Sequence, residues 1–189
     1  MAAVSSPPER HLPSRRALLA GAASAAGATA LAGCGGKPLR EKIRGSAHVP
    51  YADVAVLNSL LGVEHYAIAA YAAGVPLLGG TGSDLGKQFL SHELAHAVEL
   101  AELIKKGGGK AAKPQASYNL GDPRTAADGV ALLEQAERAQ LDAYLQMIPA
   151  LSGGRVRGAV ATIYANEAQH LAVLRAQVGQ TPTTAFAVG

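Results

Sequence analysis

Phe89-Leu90-Ser91-His92-Glu93-Leu94-Ala95-His96-Ala97-Val98-Glu99-Leu100 is the stretch on which the reading of this chain turns. Apolar side chains recur at Leu85, Phe89, Leu100 and Leu103, the stepping of one buried helical face. The same stepping puts Glu93 and His96 on that face. An ionised carboxylate in a core is costly unless a charged group meets it. The stretch therefore calls for a cation between this helix and its neighbours.

Outward from there, the chain from about Tyr51 reads as four long amphipathic helices. The first runs to about Ala73 and is broken by Pro76 and Gly79-Gly80. Ser83 or Asp84 is expected to cap the second, which stops at Gly107-Gly108-Gly109. Asp122-Pro123 is expected to open the third, which ends near Pro149. Ser152 is expected to cap the fourth, which runs to Gly179. No stretch alternates with the period of a strand. Two Phe and no Trp favour close helix packing on small residues. The short links predict two antiparallel hairpins. The link from Gly107 to Gly121, extended at roughly 3.3 Å per residue, can run the length of a bundle about 30 Å long. The expected fold is all-α, an up-down-up-down four-helix bundle over residues 51–180 with one long crossover between helices 2 and 3.

Each helix carries an acid in its seam. The four rows are Leu57, Leu61, Glu64, Ile68, Tyr71; Leu85, Phe89, Glu93, His96, Leu100; Val130, Leu133, Glu137, Leu141, Tyr144; and Val160, Ile163, Glu167, His170, Leu174. The halves echo each other. Glu64 and Glu137 each have a Tyr seven residues on, and Glu93-x-x-His96 and Glu167-x-x-His170 follow at nearly equal distance. This is a two-helix unit used twice. Four Glu and two His thus converge on one level of the core. Glu and His at i, i+3 reach one ion together, and Glu64 and Glu137 are expected to bridge two. Four carboxylates balance two divalent ions. Oxygen-rich donors with one imidazole per ion suit iron or manganese better than structural zinc.

On these residues, from about Tyr51 to Gly179, the chain resembles the ferritin-like superfamily, nearer its secreted bacterial single-domain members than the storage cages. The resemblance implies that Glu64, Glu93, His96, Glu137, Glu167 and His170 are the ligands of two iron ions, manganese being the alternative. It implies oxidation of Fe(II) or reduction of O2 or peroxide, with no catalytic residues beyond the ligands. Glu134, one turn from Glu137, competes for its place. Tyr71, Tyr144, Tyr164 and His65 are candidates to touch the ligands, with packing as their simpler role. One alternative is a non-catalytic envelope module for metal binding or stress protection. Another is a zinc protease, because His92-Glu93-Leu94-Ala95-His96 matches His-Glu-x-x-His. That reading leaves Glu167-x-x-His170 unexplained, since Asn166 stands where its first His should be.

The N-terminus reads as an address. Ser14-Arg15-Arg16-Ala17-Leu18-Leu19 opens an Ala/Gly-rich run to Leu31-Ala32-Gly33-Cys34, so residues 1–33 are expected to be an export signal. The Arg pair resembles a twin-arginine signal. Leu-Ala-Gly-Cys resembles the bacterial lipobox, in which Cys34 carries the lipid that anchors the chain to the outer face of the membrane. Cys34 is the only Cys, which excludes an intrachain disulfide. Residues 34–50 read as a tether and 181–189 as a tail. From Cys34 onward 14 basic residues meet 13 acidic ones, a balance that argues against a nucleic-acid partner. The Ala-rich outer faces suit a homodimer.

Overall fold

The computed structural model describes residues 48–152 and 154–182. The expected export signal, Cys34, most of the tether and the end of the tail lie outside the described residues. Among those described, the protein is all-α with no strand. Four helices carry it: α1 (Val54–Gly74), α2 (Gly80–Lys106), α3 (Ala126–Met147) and α4 (Gly154–Gln177). A 3-10 turn at Tyr51–Asp53 leads into α1, and others at Val75–Leu77 and Ile148–Ala150 end α1 and α3. Pro76 and Pro149 sit in those last two turns and end the helices there, since proline offers no N–H to the ladder.

Three expected helix starts differ. α2 begins at Gly80, ahead of Ser83 and Asp84, with Gly79 at its cap. α3 is opened by Thr125. Its hydroxyl accepts from the Asp128 N–H, and the Asp128 carboxylate accepts from the Thr125 N–H. Asp122 instead holds a positive φ of 53° in the loop before it. α4 begins two residues after Ser152. The Ser152 N–H and hydroxyl both donate to the buried Asp53 carboxylate, at 2.9 and 2.6 Å, pinning the α3–α4 turn to the start of α1. The tether also ends sooner than expected, because Val49 is already part of the core.

The order of helix directions corrects the expectation: it is up-down-down-up. One apolar cluster joins Leu57 and Leu61 near the start of α1, Leu100 and Leu103 at the end of α2, Tyr144 at the end of α3 and Val156 at the start of α4. A second joins Tyr71 at the end of α1, Phe89 in α2, Leu133 in α3 and Leu174 at the end of α4. α2 and α3 therefore run parallel. The physical reason is the crossover, which returns the chain to the far end before α3 begins. Asn58 holds it by accepting from the Ala112 N–H at 2.7 Å and donating to the Lys110 carbonyl at 3.2 Å. Further along, Tyr118 meets Tyr66 edge to face at 6.0 Å. Where α1 and α3 cross, Gly74 and Gly129 face each other. A Cβ at Gly129 would stand 3.0 Å from the Gly74 carbonyl, so the approach needs glycine on both helices.

The run from Tyr51 to Leu77 is long and apolar enough to cross a membrane by length and composition. Glu64 in the middle of it, buried in the bundle, gives it a different use as the core helix of a carboxylate site.

Candidate metal centre

Between the two apolar clusters lies a polar layer. Glu64, Glu93, Glu137 and Glu167 are each 0% exposed, and His170 is 1% exposed. One turn of each helix delivers one acid inward, as the seam spacing requires. The structure brings all six expected donors together, with His96 half-buried at the edge.

Their atoms fall into two sets. Glu64, Glu93, His96 and Glu167 offer four donors all within 4.8 Å of one another, and so do Glu93, Glu137, Glu167 and His170. With oxygen and nitrogen ligands about 2.0–2.2 Å from an ion, opposite donors stand roughly 4 Å apart. The sets share Glu93 and Glu167, the acids of the two Glu-x-x-His pairs. This corrects the expectation that Glu64 and Glu137 are the shared pair: each of those belongs to one set.

The donor atoms are poorly served by one another. His96 Nδ1 lies 2.7 Å from Glu167 Oε1, and His170 Nδ1 lies 3.0 Å from Glu93 Oε1, 3.3 Å from Glu137 Oε1 and 3.1 Å from Glu167 Oε2. Yet both imidazole nitrogens, both Glu167 oxygens, Glu93 Oε1 and Glu137 Oε2 are buried without a well-formed hydrogen bond. Buried polar atoms are normally paired. Orphaned carboxylate oxygens and imidazole nitrogens facing one another in a buried layer are donors that could hold metal ions, and the residues fit that use.

The protonation of the layer follows from its crowding. Burial, reinforced by the charges of Glu167 and Glu93, holds Glu64 well above the usual carboxylate range. Burial pushes Glu137 up to about 8 against the pull of His170. Burial alone would lower His170, but its contacts with Glu137, Glu167 and Glu93 raise it to about 11. Burial also acts to raise Glu167, and there the imidazoles of His170 and His96 prevail and hold it below the usual range.

Around the donors stand residues that orient them. The Tyr71 hydroxyl donates to Glu137 Oε1, and the Tyr144 hydroxyl donates to Glu64 Oε1, each tyrosine serving the acid of the opposite half. Burial and the adjacent carboxylates hold both phenols well above their ordinary range, so they remain donors. Tyr164 packs against the cluster near the start of α1 and has no hydrogen bond to the site. His65 turns away from the layer toward an apolar groove of about 450 Å³ bounded by α1, α2 and the crossover. Glu134 is taken by Arg138 at 2.6 Å and Arg175 at 3.2 Å, which leaves Glu137 as the α3 acid of the layer.

Two contributors were not assigned to this site from the sequence. Gln140 is fully buried and its amide donates to Glu93 Oε2 at 2.6 Å and to Glu64 Oε2 at 3.1 Å. It follows Glu137 by the same three residues that separate Glu from His in α2 and α4, and that spacing was the available signal. His92 shares a hydrogen bond with His170, Nδ1 to Nε2 at 2.9 Å. The zinc-protease reading needed His92 and His96 on one ion with Glu93 free as a base. Instead Glu93 is buried in the carboxylate layer, and no strand edge exists among the described residues.

Comparison with known proteins adds family and fold. The ferritin-like domain family matches residues 52–180. A conserved hypothetical protein of Mycobacterium tuberculosis is similar at 23% identity and a TM-score of 0.65, over 71% of this chain and 95% of that one. A structure from Bacillus anthracis str. Ames, described as ferritin-like, diiron-carboxylate proteins, is similar at 21% identity and a TM-score of 0.54, over 66% of this chain and 94% of that one. No curated protein matches.

Proposed function

The chain belongs to the ferritin-like domain family, and from that premise we propose that it holds two iron or manganese ions and oxidises Fe(II) at the expense of O2 or peroxide. The observation that carries the reading is the sharing of Glu93 and Glu167 between two four-donor sets, in which Nδ1 of His96 and of His170, both Glu167 oxygens, Glu93 Oε1 and Glu137 Oε2 have no hydrogen-bond partner. Bound ions would supply one-electron redox chemistry there. The chain's own residues do the rest. Tyr71, Tyr144 and Gln140 fix Glu137, Glu64 and Glu93 before any ion arrives. The apolar clusters above and below the layer keep water out. Glu137 and His170 hold protons that they would release on taking up ions there.

Elemental analysis of the purified chain should find about two iron or manganese per chain. Aerobic addition of excess Fe(II) should then give repeated turnover. Oxidation that stops at the stoichiometry of the site would mark a binding or protection module. Absence of metal after anaerobic reconstitution would end the metal reading altogether.

The same proposal places the protein outside the cell membrane, resting on the Arg15-Arg16 signal and the Leu-Ala-Gly-Cys34 sequence. Cys34→Ala should shift the chain from the membrane fraction to the soluble fraction. Equal partition of both forms would remove the anchor.

A further inference from the structure

His170 presents its two ring nitrogens to different neighbours. Nδ1 faces three carboxylate oxygens within 3.3 Å. Nε2 faces away from them and meets His92 Nδ1 at 2.9 Å. Phe89 stacks on the ring at 4.1 Å and 22°. That stack fixes the plane of the imidazole. It does not distinguish a half-turn about the Cβ–Cγ bond, which would take Nδ1 away from the carboxylates. The hydrogen bond to His92 does distinguish it. For Nδ1 to offer its lone pair to an ion, the ring proton must sit on Nε2, and a proton on Nε2 needs an acceptor. His92 Nδ1, at 2.9 Å, stands where that acceptor is needed.

The other half of the molecule lacks the device. Asn166 stands before Glu167 as His92 stands before Glu93, and among the described residues no hydrogen bond joins Asn166 to His96. The two ion positions are thus unequal. One has a buried, buttressed imidazole; the other has a half-buried imidazole at the edge.

We infer that His92 is a positioning residue for the ion held by Glu93, Glu137, Glu167 and His170, fixing His170 with Nδ1 toward that ion. This rests on the two-metal reading. Partners of ligating imidazoles typically change metal affinity by about 10–100-fold. The second position, with His96, serves as an internal control.

The test is a Co(II) titration of the full chain, purified metal-free, followed by its visible spectrum. The wild-type chain should bind two Co(II). In His92→Ala one step should weaken by about 10–100-fold while the other stays within about threefold. His92→Asp carries a carboxylate oxygen, an acceptor only, where Nδ1 stood, and should restore the weakened step. Ring ¹⁵N spectra of the zinc-loaded protein should show the His170 proton on Nε2 in the wild type and the Asp variant. In His92→Ala that assignment should be lost. Circular dichroism checks that each variant folds. Two unchanged steps in His92→Ala would overturn the assignment of His92 alone. Equal weakening of both steps without rescue by Asp would also overturn it, marking His92 as a structural residue. A wild-type chain that binds no Co(II) would overturn the metal reading and this inference with it.

Discussion

Glu93→Ala and Glu167→Ala are each expected to lose both ions, whereas Glu64→Ala and Glu137→Ala should each keep one. The difference follows from membership of the two donor sets. Glu93 and Glu167 belong to both, Glu64 only to the set with His96, and Glu137 only to the set with His170. Loss of an outer partner of a ligand already costs about 10–100-fold in affinity, so loss of a shared ligand should cost at least about 100-fold at each position. Fe(II) oxidation should fall by a similar factor. The metal-free variants should still fold. Removing one of four carboxylates buried on one level relieves repulsion as well as removing a hydrogen-bond acceptor. Elemental analysis after anaerobic Fe(II) loading, with circular dichroism as the control for folding, gives the answer. One ion retained in Glu93→Ala would mean that the acid is not shared. Two retained, with normal oxidation, would sink the assignment of the centre.

The seam made this centre legible. Glu64, Glu93, Glu137 and Glu167 each stand at a position where spacing demands an apolar side chain, and that misfit is visible without a structure. Seven-residue spacing likewise announced Tyr71 and Tyr144. Their targets were not legible, because each crosses to the acid of the other half, and helix periodicity says nothing about which neighbour lies opposite. Gln140 escaped for a related reason. Its position on the seam was readable, but an amide is not a ligand type, and its value lies in two bonds to other helices. That Glu93 and Glu167 fall in both donor sets follows from which atoms the four helices bring together, which sequence spacing does not encode. Helix direction is not legible in the sequence, because a long crossover allows either order. The length of the Gly107 to Gly121 link permitted the chain to return along the bundle, and Asn58 shows that it does. The α3 start moved from Asp122 to Thr125 because two adjacent capping signals compete, and the one with a reciprocal bond to Asp128 prevails.

Metal removal should make the protein less stable as pH rises. Glu137 titrates near 8 in the folded chain against an ordinary value of 4.5, and His170 near 11 against 6.5. Both are raised, so the metal-free fold holds protons that the unfolded chain has released. The Glu137 contribution is complete below about 4.5 and is lost as pH climbs through 8. That of His170 is complete below about 6.5 and is lost as pH climbs toward 11. Glu167 is lowered and acts in the opposite sense, its contribution being present above about 4.5 and lost as pH falls through its folded value. From pH 6 to 9 the Glu167 contribution stays constant while those of Glu137 and His170 decline, and Glu64, also raised, acts in the same sense. The thermal midpoint of the metal-free protein should therefore drop by on the order of 10 °C over that range. Saturating Mn(II), which avoids oxidation during the measurement, should reverse the trend. Ions take the place of those protons and bind more tightly as pH rises. At 100 times its dissociation constant each bound ion adds about 2.7 kcal/mol, so the gap between loaded and metal-free midpoints should widen toward pH 9. Scanning calorimetry at pH 6 and pH 9, with and without Mn(II), measures all four values. A metal-free midpoint that rises from pH 6 to 9, or a gap that narrows, would show that the carboxylate layer does not hold these protons in the folded state.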